Sequence, residues 1–354
     1  MTSNIGKSVR KGSGHLYITL IATALALTGI IWLTAGALQA RFDVINEKYY
    51  PFFYPWQTRN PSTMAYVTAW IGYALHNIAA WGIIFAAQRA RPKYDTQFRW
   101  FNWAMAAVNL IGFVLHWLQT QLWYDGLAIA VPEITSQGSV ILMLVFILIL
   151  ETPRRGLIWG KKVRFHQRFL DIVRHYHGYL FTWALIYTFW YHPMEATFGH
   201  LAGFFYMFAL LAQSVLIFHR AHLNRWWTFS LEVLVLVHGT LVAIYQGNGL
   251  WPMFLFGFMA MIVLTQMHGL GIDSRTRRWL AFGFVAVTGL FYGFSGNLAR
   301  LNEVIRIPLI EYLSIFLIYA IFLSIYGLLC LIRRLASYAR GIAFYSVGNQ
   351  EPHL

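Results

Sequence analysis

The chain has 354 residues, 58% hydrophobic and 11% charged, whereas an ordinary soluble domain carries roughly 25% charged residues; a water-soluble globule and a disordered chain are both excluded. Its 15 Trp, 20 Tyr and 28 Phe exceed what a core of this size absorbs, and the lipid–water boundaries of a polytopic membrane protein are where such rings settle. The formal charge of +14 raises nucleic acid as a partner until the basic residues are placed, and the lone Cys330 excludes a disulfide framework, a Cys-rich zinc site, a Cys-ligated iron–sulfur cluster and Cys-anchored haem.

A hydrocarbon core of ~30 Å needs ~20 helical residues to cross. Ten apolar stretches meet or approach that length: residues 16–38, 65–87, 100–123, 132–150, 169–191, 197–218, 228–246, 250–270, 279–295 and 309–332. The fold class this predicts is an all-α polytopic bundle of about ten spans, one transmembrane domain over residues 1–354. The first stretch has a signal-peptide flavour, with Lys7, Arg10 and Lys11 before it and small Ala35, Ala37 and Ala40 at its end. Its 23 residues exceed a signal-peptide apolar region of about 7–15, which predicts a retained helix. Residues 39–64 follow as an external loop, and Tyr49-Tyr50-Pro51-Phe52-Phe53-Tyr54-Pro55-Trp56 within it reads as an aromatic segment lying on the outer interface or, more plainly, as ordinary anchoring of two helices. The fourth stretch opens at Pro132, and the ninth is short and glycine-rich.

If the N-terminus is cytoplasmic, only Arg41, Lys48, Arg59, Arg300 and Arg306 fall outside, and the other 22 of the 27 Lys and Arg lie on the cytoplasmic side. Such a split over short loops predicts both termini inside, with residues 333–354 as a cytoplasmic tail. The charge is then accounted for by topology and by attraction to an anionic inner leaflet, as in a bacterial plasma membrane, and nucleic acid drops out as a partner.

Thirteen His remain, and a rise of ~1.5 Å per residue sorts them by depth. A cytoplasmic layer holds His175 and His177, His219 and His222, and His268, with Glu232 at the same height; a middle layer holds His76, His116 and His238; an outer layer holds His192 and His200 with Glu195 between them. Ionisable groups at membrane depth are costly enough to mark function, although a single His also serves as an interhelical hydrogen bond. Imidazole suits iron, copper and zinc. His219 and His222, three apart, share a helix face, whereas His175 and His177 point to nearly opposite faces. Three His-Gly pairs, His177-Gly178, His238-Gly239 and His268-Gly269, leave room for a flat ligand or for close helix packing.

Two iron chemistries fit. In one, b-type haem is held between His116 and His238 or between His177 and His268, with His76 as a further candidate and Arg174 and Arg220 near propionates. In the other, non-haem iron is held by His177, with His175 as the alternative from that pair, together with His219, His222, His268 and Glu232, or by His192 and His200 with Glu195. The cytoplasmic position of these His is similar to that in membrane di-iron desaturases and hydroxylases; only His219-Arg220-Ala221-His222 approaches their boxes, which end in His-His, a pair this chain lacks. Either chemistry predicts a membrane oxidoreductase, with Asn77, Asn109, Gln119, Gln121, Gln213, Gln246 and Gln266 available to line a cavity for a quinone or a lipid-like substrate. A proton-coupled transporter using the intramembrane His and Glu232, or a subunit of a larger membrane complex, are the alternatives. No phosphate-binding glycine loop or dinucleotide fingerprint is present.

Overall fold

The structure, a computed structural model, describes residues 2–49, 53–247 and 249–348. Each apolar stretch falls on a helix, and the ten long helices are labelled here in chain order: α1 Thr2–Ala35, α2 Thr63–Arg89, α3 Trp100–Trp123, α4 Glu133–Arg155 and α5 Gln167–Tyr191, then α6 Phe198–Val215, α7 Arg225–Tyr245, α8 Trp251–Leu264, α9 Ser274–Phe294 and α10 Glu303–Gly348. The protein is an all-α membrane bundle: among the described residues, eight helical segments are long and apolar enough to cross a membrane. The other two long helices, α5 and α9, are diluted at their first turns by Arg168, Asp171 and Arg174 and by Arg275, Arg277 and Arg278 respectively.

The helix starts are set by local chemistry. Ser62, Thr197, Asn224 and Asp273 each accept hydrogen bonds from amides of the first turn through their side chains, satisfying donors that have no partner within the helix. Pro132 precedes α4 with an extended backbone, as a residue without an N–H can.

Three departures from the sequence expectation shape the sites below. First, α8 stops at Leu264: Thr265 leaves helical geometry (φ −128°, ψ −58°) and a single 3-10 turn, Gln266–Gly269, replaces the last helical turn. Second, the external segment does not simply lie on an interface. Its strands β1 Val44–Ile45 and β2 Gln57–Thr58 pair antiparallel, and between them Tyr54 turns inward and is buried while Tyr49 stays exposed. Tyr50, Pro51 and Phe52 of the aromatic run lie outside the described residues. Third, the helix of the last apolar stretch continues through most of residues 333–354, to Gly348, with the final six residues outside the description.

Two cores organise the bundle. One, built from α1, α2, α3, α5 and α6, includes Phe113, Trp190, Phe204 and Phe208. The other joins α4, the start of α5, α8 and α10 through Ile149, Phe169, Met261 and Ile315, and α7 packs on both α6 and α8. The three glycines of the His-Gly pairs are used for packing. Ile84 lies against Gly178, Phe258 against Gly239, and the side chains of Arg154 and Arg155 against Gly269, so neighbouring side chains occupy the space a flat ligand would need there.

Candidate functional sites

The middle and outer His layers, separated by depth in the sequence, join into one buried network in the first core. Trp190 Nε1 donates to His76 Nδ1 (3.3 Å) and His76 Nε2 donates to Asn109 Oδ1 (3.3 Å). His116 Nε2 donates to the His192 carbonyl at 2.8 Å, and its Nδ1 faces the Gln119 amide at 3.2 Å. His200 is held on both ring nitrogens, by the Tyr54 hydroxyl at 2.5 Å and the Thr197 hydroxyl at 2.6 Å. Glu195 accepts from the Tyr124 hydroxyl at 2.8 Å and from the Ala196 amide at 3.2 Å. Gly112 makes the crossing possible, because a Cβ there would lie 2.5 Å from the His76 ring.

His192 sits edge-on to Tyr54, with ring centres 4.9 Å apart, and 6.1 Å from His200. His238 lies against Gly203, and its Nδ1 is buried without a partner among the described residues. Outside the spans the charge states follow burial. Burial lowers the His192 imidazole well below its usual range, reinforced by His200, His238 and His116. It raises the Glu195 carboxyl against the bonds from Tyr124 and Ala196, and raises the Asp125 carboxyl against two bonds from Thr58. The network is built of imidazole, phenol and carboxyl groups, with most hydrogen-bonding atoms claimed by the protein.

The cytoplasmic layer does not assemble as the depth argument expects. His175 is exposed and stacks edge-on against Tyr176. His219 is a structural cap, donating to the Thr96 carbonyl at 2.9 Å and accepting from the Ala221 amide at 3.1 Å. His177 Nδ1 donates to the Arg174 carbonyl at 2.7 Å, and its ring faces His222 across 6.4 Å. His222 Nδ1 is buried without a partner, and burial first, then His177, lowers its imidazole to about 4. His268 lies away from His177, against Trp159 and Gly160. Arg174 pairs loosely with Asp171 at 3.8 Å, and Arg220 is exposed. Among the described residues no three of His, Cys, Asp and Glu come together in a group able to hold a metal ion.

Glu232 is the largest departure. Both of its oxygens accept from Arg155 Nη1 at 2.8 Å, and the two side chains are 6% and 2% exposed. Arg155 is the last residue of α4; in the sequence it stands in a basic run and reads as one more cytoplasmic charge. The pair borders a cavity of about 20 Å³ between α4, α7, α8 and α10, lined also by Gln266, Glu311, Phe258 and Met261; that volume is room for about one water molecule.

Four lining atoms are buried without a partner among the described residues: Arg155 Nε, Arg155 Nη2, Gln266 Oε1 and Glu311 Oε2. Glu311, 4% exposed, is a lone carboxyl inside the last apolar run. The rule that flagged Glu232 applies equally to it, and this is the signal by which sequence reasoning could have found it. The break in α8 completes the arrangement. Thr265 Oγ1 donates to the Leu157 carbonyl at 2.5 Å and shares a 2.6 Å hydrogen bond with Tyr312, so the unwound turn carrying Gln266 is pinned beside the cavity. Two free guanidinium donors, two carboxyls and an amide thus surround one water-sized space at membrane depth. Comparison with known protein families, curated proteins and solved structures finds no match for this chain.

Proposed function

We propose that the protein is a proton-coupled membrane transporter whose substrate is a small anion bound at Arg155. The observation that carries this reading is the cavity at the break in α8, where buried ionisable groups have atoms left unpartnered. Orphaned polar atoms in a membrane interior cost several kcal/mol each, and ionisable residues that persist there mark substrate or proton pathways.

Charge balance gives the coupling. With Glu311 protonated, Arg155 and Glu232 sum to zero. An anion taking the free Nε and Nη2 donors of Arg155 leaves the cluster at minus one unless Glu232 accepts a proton. Uptake of the anion together with a proton restores neutrality, and a low-dielectric site penalises any other combination. Glu311 and the cavity water offer a path by which that proton reaches Glu232, and Thr265–Gly269 is the element able to rearrange.

The ten helices then cross the membrane alternately with both termini in the cytoplasm, as in a bacterial inner membrane. Contacts between loops support this order. Arg41 reaches Gln121, Thr58 reaches Asp125 and Arg300 reaches the Gly249 carbonyl at the end with few basic residues. Arg220 meets Asp95 and Arg154 meets Gly269 at the basic end.

The test is flux. Proteoliposomes loaded with a pH-sensitive dye are given inward gradients of chloride, nitrate or phosphate in turn. The reading predicts internal acidification with at least one anion, abolished by E232Q and by E311Q; wild-type traces identical to protein-free liposomes for all three would overturn it.

One observation favours a second reading, a His-ligated iron oxidoreductase. The His238 Nδ1 is buried and unclaimed among the described residues, a ligand atom to which an added iron could bind. Iron content near one per chain with a haem or ferrous absorption spectrum supports it, and metal-free purified protein with no such spectrum counts against it.

A further inference from the structure

At the cytoplasmic end of α8 and α9 a second cleft, of about 430 Å³, is lined by Trp159, His268, Ser274, Arg277, Arg278 and Ala281, together with Gly160 and Met267. No Asp or Glu lines it. Asp273, the nearest acid in sequence, spends its two oxygens on the Arg275 amide and on the amide and hydroxyl of Thr276. Two guanidinium groups therefore share a cleft without a compensating carboxylate.

The histidine positions one of these guanidinium groups. Arg277 Nη1 donates to His268 Nδ1 at 3.3 Å, which leaves the proton on Nε2, and Nε2 is buried on the far edge of the ring. The opposite wall is held in a conformation that side chains rarely adopt: Trp159 has φ +53° and Gly160 has φ +73°. The Trp159 amide donates to the Leu264 carbonyl at 2.7 Å, and its indole meets His268 edge-on at 6.1 Å. A Cβ on Gly160 would stand 3.1 Å from His268 Nδ1.

From this arrangement we infer that the cleft binds a phosphate group, gripped by the Arg277 and Arg278 guanidinium groups with His268 and Trp159 covering one side. Guanidinium forks match phosphate oxygens in geometry as well as charge. The phosphate is either a free anion from the cytoplasm or the headgroup of an anionic lipid. The second source fits the exposed Trp279, Leu280 and Phe282 that continue along α9, on which acyl chains would lie. The inference does not depend on the transport reading, since Gln266 and His268 share a turn but line different spaces.

The test uses the full chain in nanodiscs of phosphatidylcholine, with the thermal midpoint as readout. One arm titrates inorganic phosphate, and the other replaces part of the lipid with phosphatidylglycerol. Stabilisation in the first arm identifies a soluble phosphate as sufficient, and stabilisation in the second alone identifies the lipid headgroup; either supports the site. R277Q/R278Q should shift half-saturation about tenfold or more while keeping the wild-type midpoint in pure phosphatidylcholine. R275Q/R334Q, which removes the same charge outside the cleft, should respond like wild type. No stabilisation in either arm, or equal losses in R277Q/R278Q and R275Q/R334Q, would overturn the inference.

Discussion

The His network of the first core and the Arg155 cavity of the second are both buried and both polar, yet they are finished differently. Around His76 and His200 every ring nitrogen has a protein partner. Around Arg155 and Glu311 donors and acceptors are left over. A satisfied buried network rigidifies and specifies one packing, whereas a partly satisfied one stays costly unless something else completes it. Under the proposed function the bonded histidines serve as scaffold and the Arg155 cavity carries the chemistry.

The sharpest way to break this contrast is to cut the ion pair. R155M strands Glu232 as an uncompensated buried charge, and unfolding in mild detergent should show a loss of about 3–5 kcal/mol. Replacing both partners, in R155M/E232L, should return stability to near wild type, because paired burial contributes little beyond an apolar filling of similar volume. Anion-driven acidification of proteoliposomes should remain absent in that double variant. A double variant that still drives proton movement would place the chemistry elsewhere.

A smaller effect should follow from opening the His network. H116L removes a group bonded to His192 and Gln119, and Y54F removes the hydroxyl on His200; each should cost about 1–3 kcal/mol and leave the dependence of flux on pH and anion unchanged. A stability loss accompanied by lost coupling would join the two regions into one functional unit.

How much of this was legible in the sequence follows from what depth can and cannot encode. The helices could be read from composition and spacing, and Glu232 stood out there as an acid in an apolar run. The partner of Glu232 could not, because Arg155 stands at the junction of an apolar run and a basic loop, where it looks like any other cytoplasmic charge. Height in the bilayer set His192 apart from His116, yet the His192 carbonyl accepts from the His116 ring, since Pro193 ends helical geometry there and folds the chain back. The break at Thr265 carries no Gly or Pro at the point of departure and is held by tertiary bonds to Leu157 and Tyr312, which a local pattern does not reveal. Tyr54 was hidden in an aromatic run whose members look alike until one of them finds a histidine.

The smallest effect concerns acidity. His222, lowered to about 4, and His192, lowered well below its usual range, lie outside the spans and are held toward the neutral form when folded. An unfolded His takes its proton near pH 6.5, so between that pH and about 4 the unfolded chain binds more protons and stability falls as pH falls. Thermal midpoints in detergent should therefore decline by a few degrees across this window, and H222Q should flatten part of the decline. A midpoint independent of pH from 7 to 4 would mean these imidazoles are already protonated or solvated.

The central claim is that anion and proton arrive together at Arg155 and Glu232. Mixing the purified protein with the transported anion in weakly buffered detergent, with a pH indicator present, counts protons directly. The account predicts uptake of about one proton per anion bound, lost in E232Q even where the anion still binds. Anion binding without proton uptake, or undiminished uptake in E232Q, would contradict it.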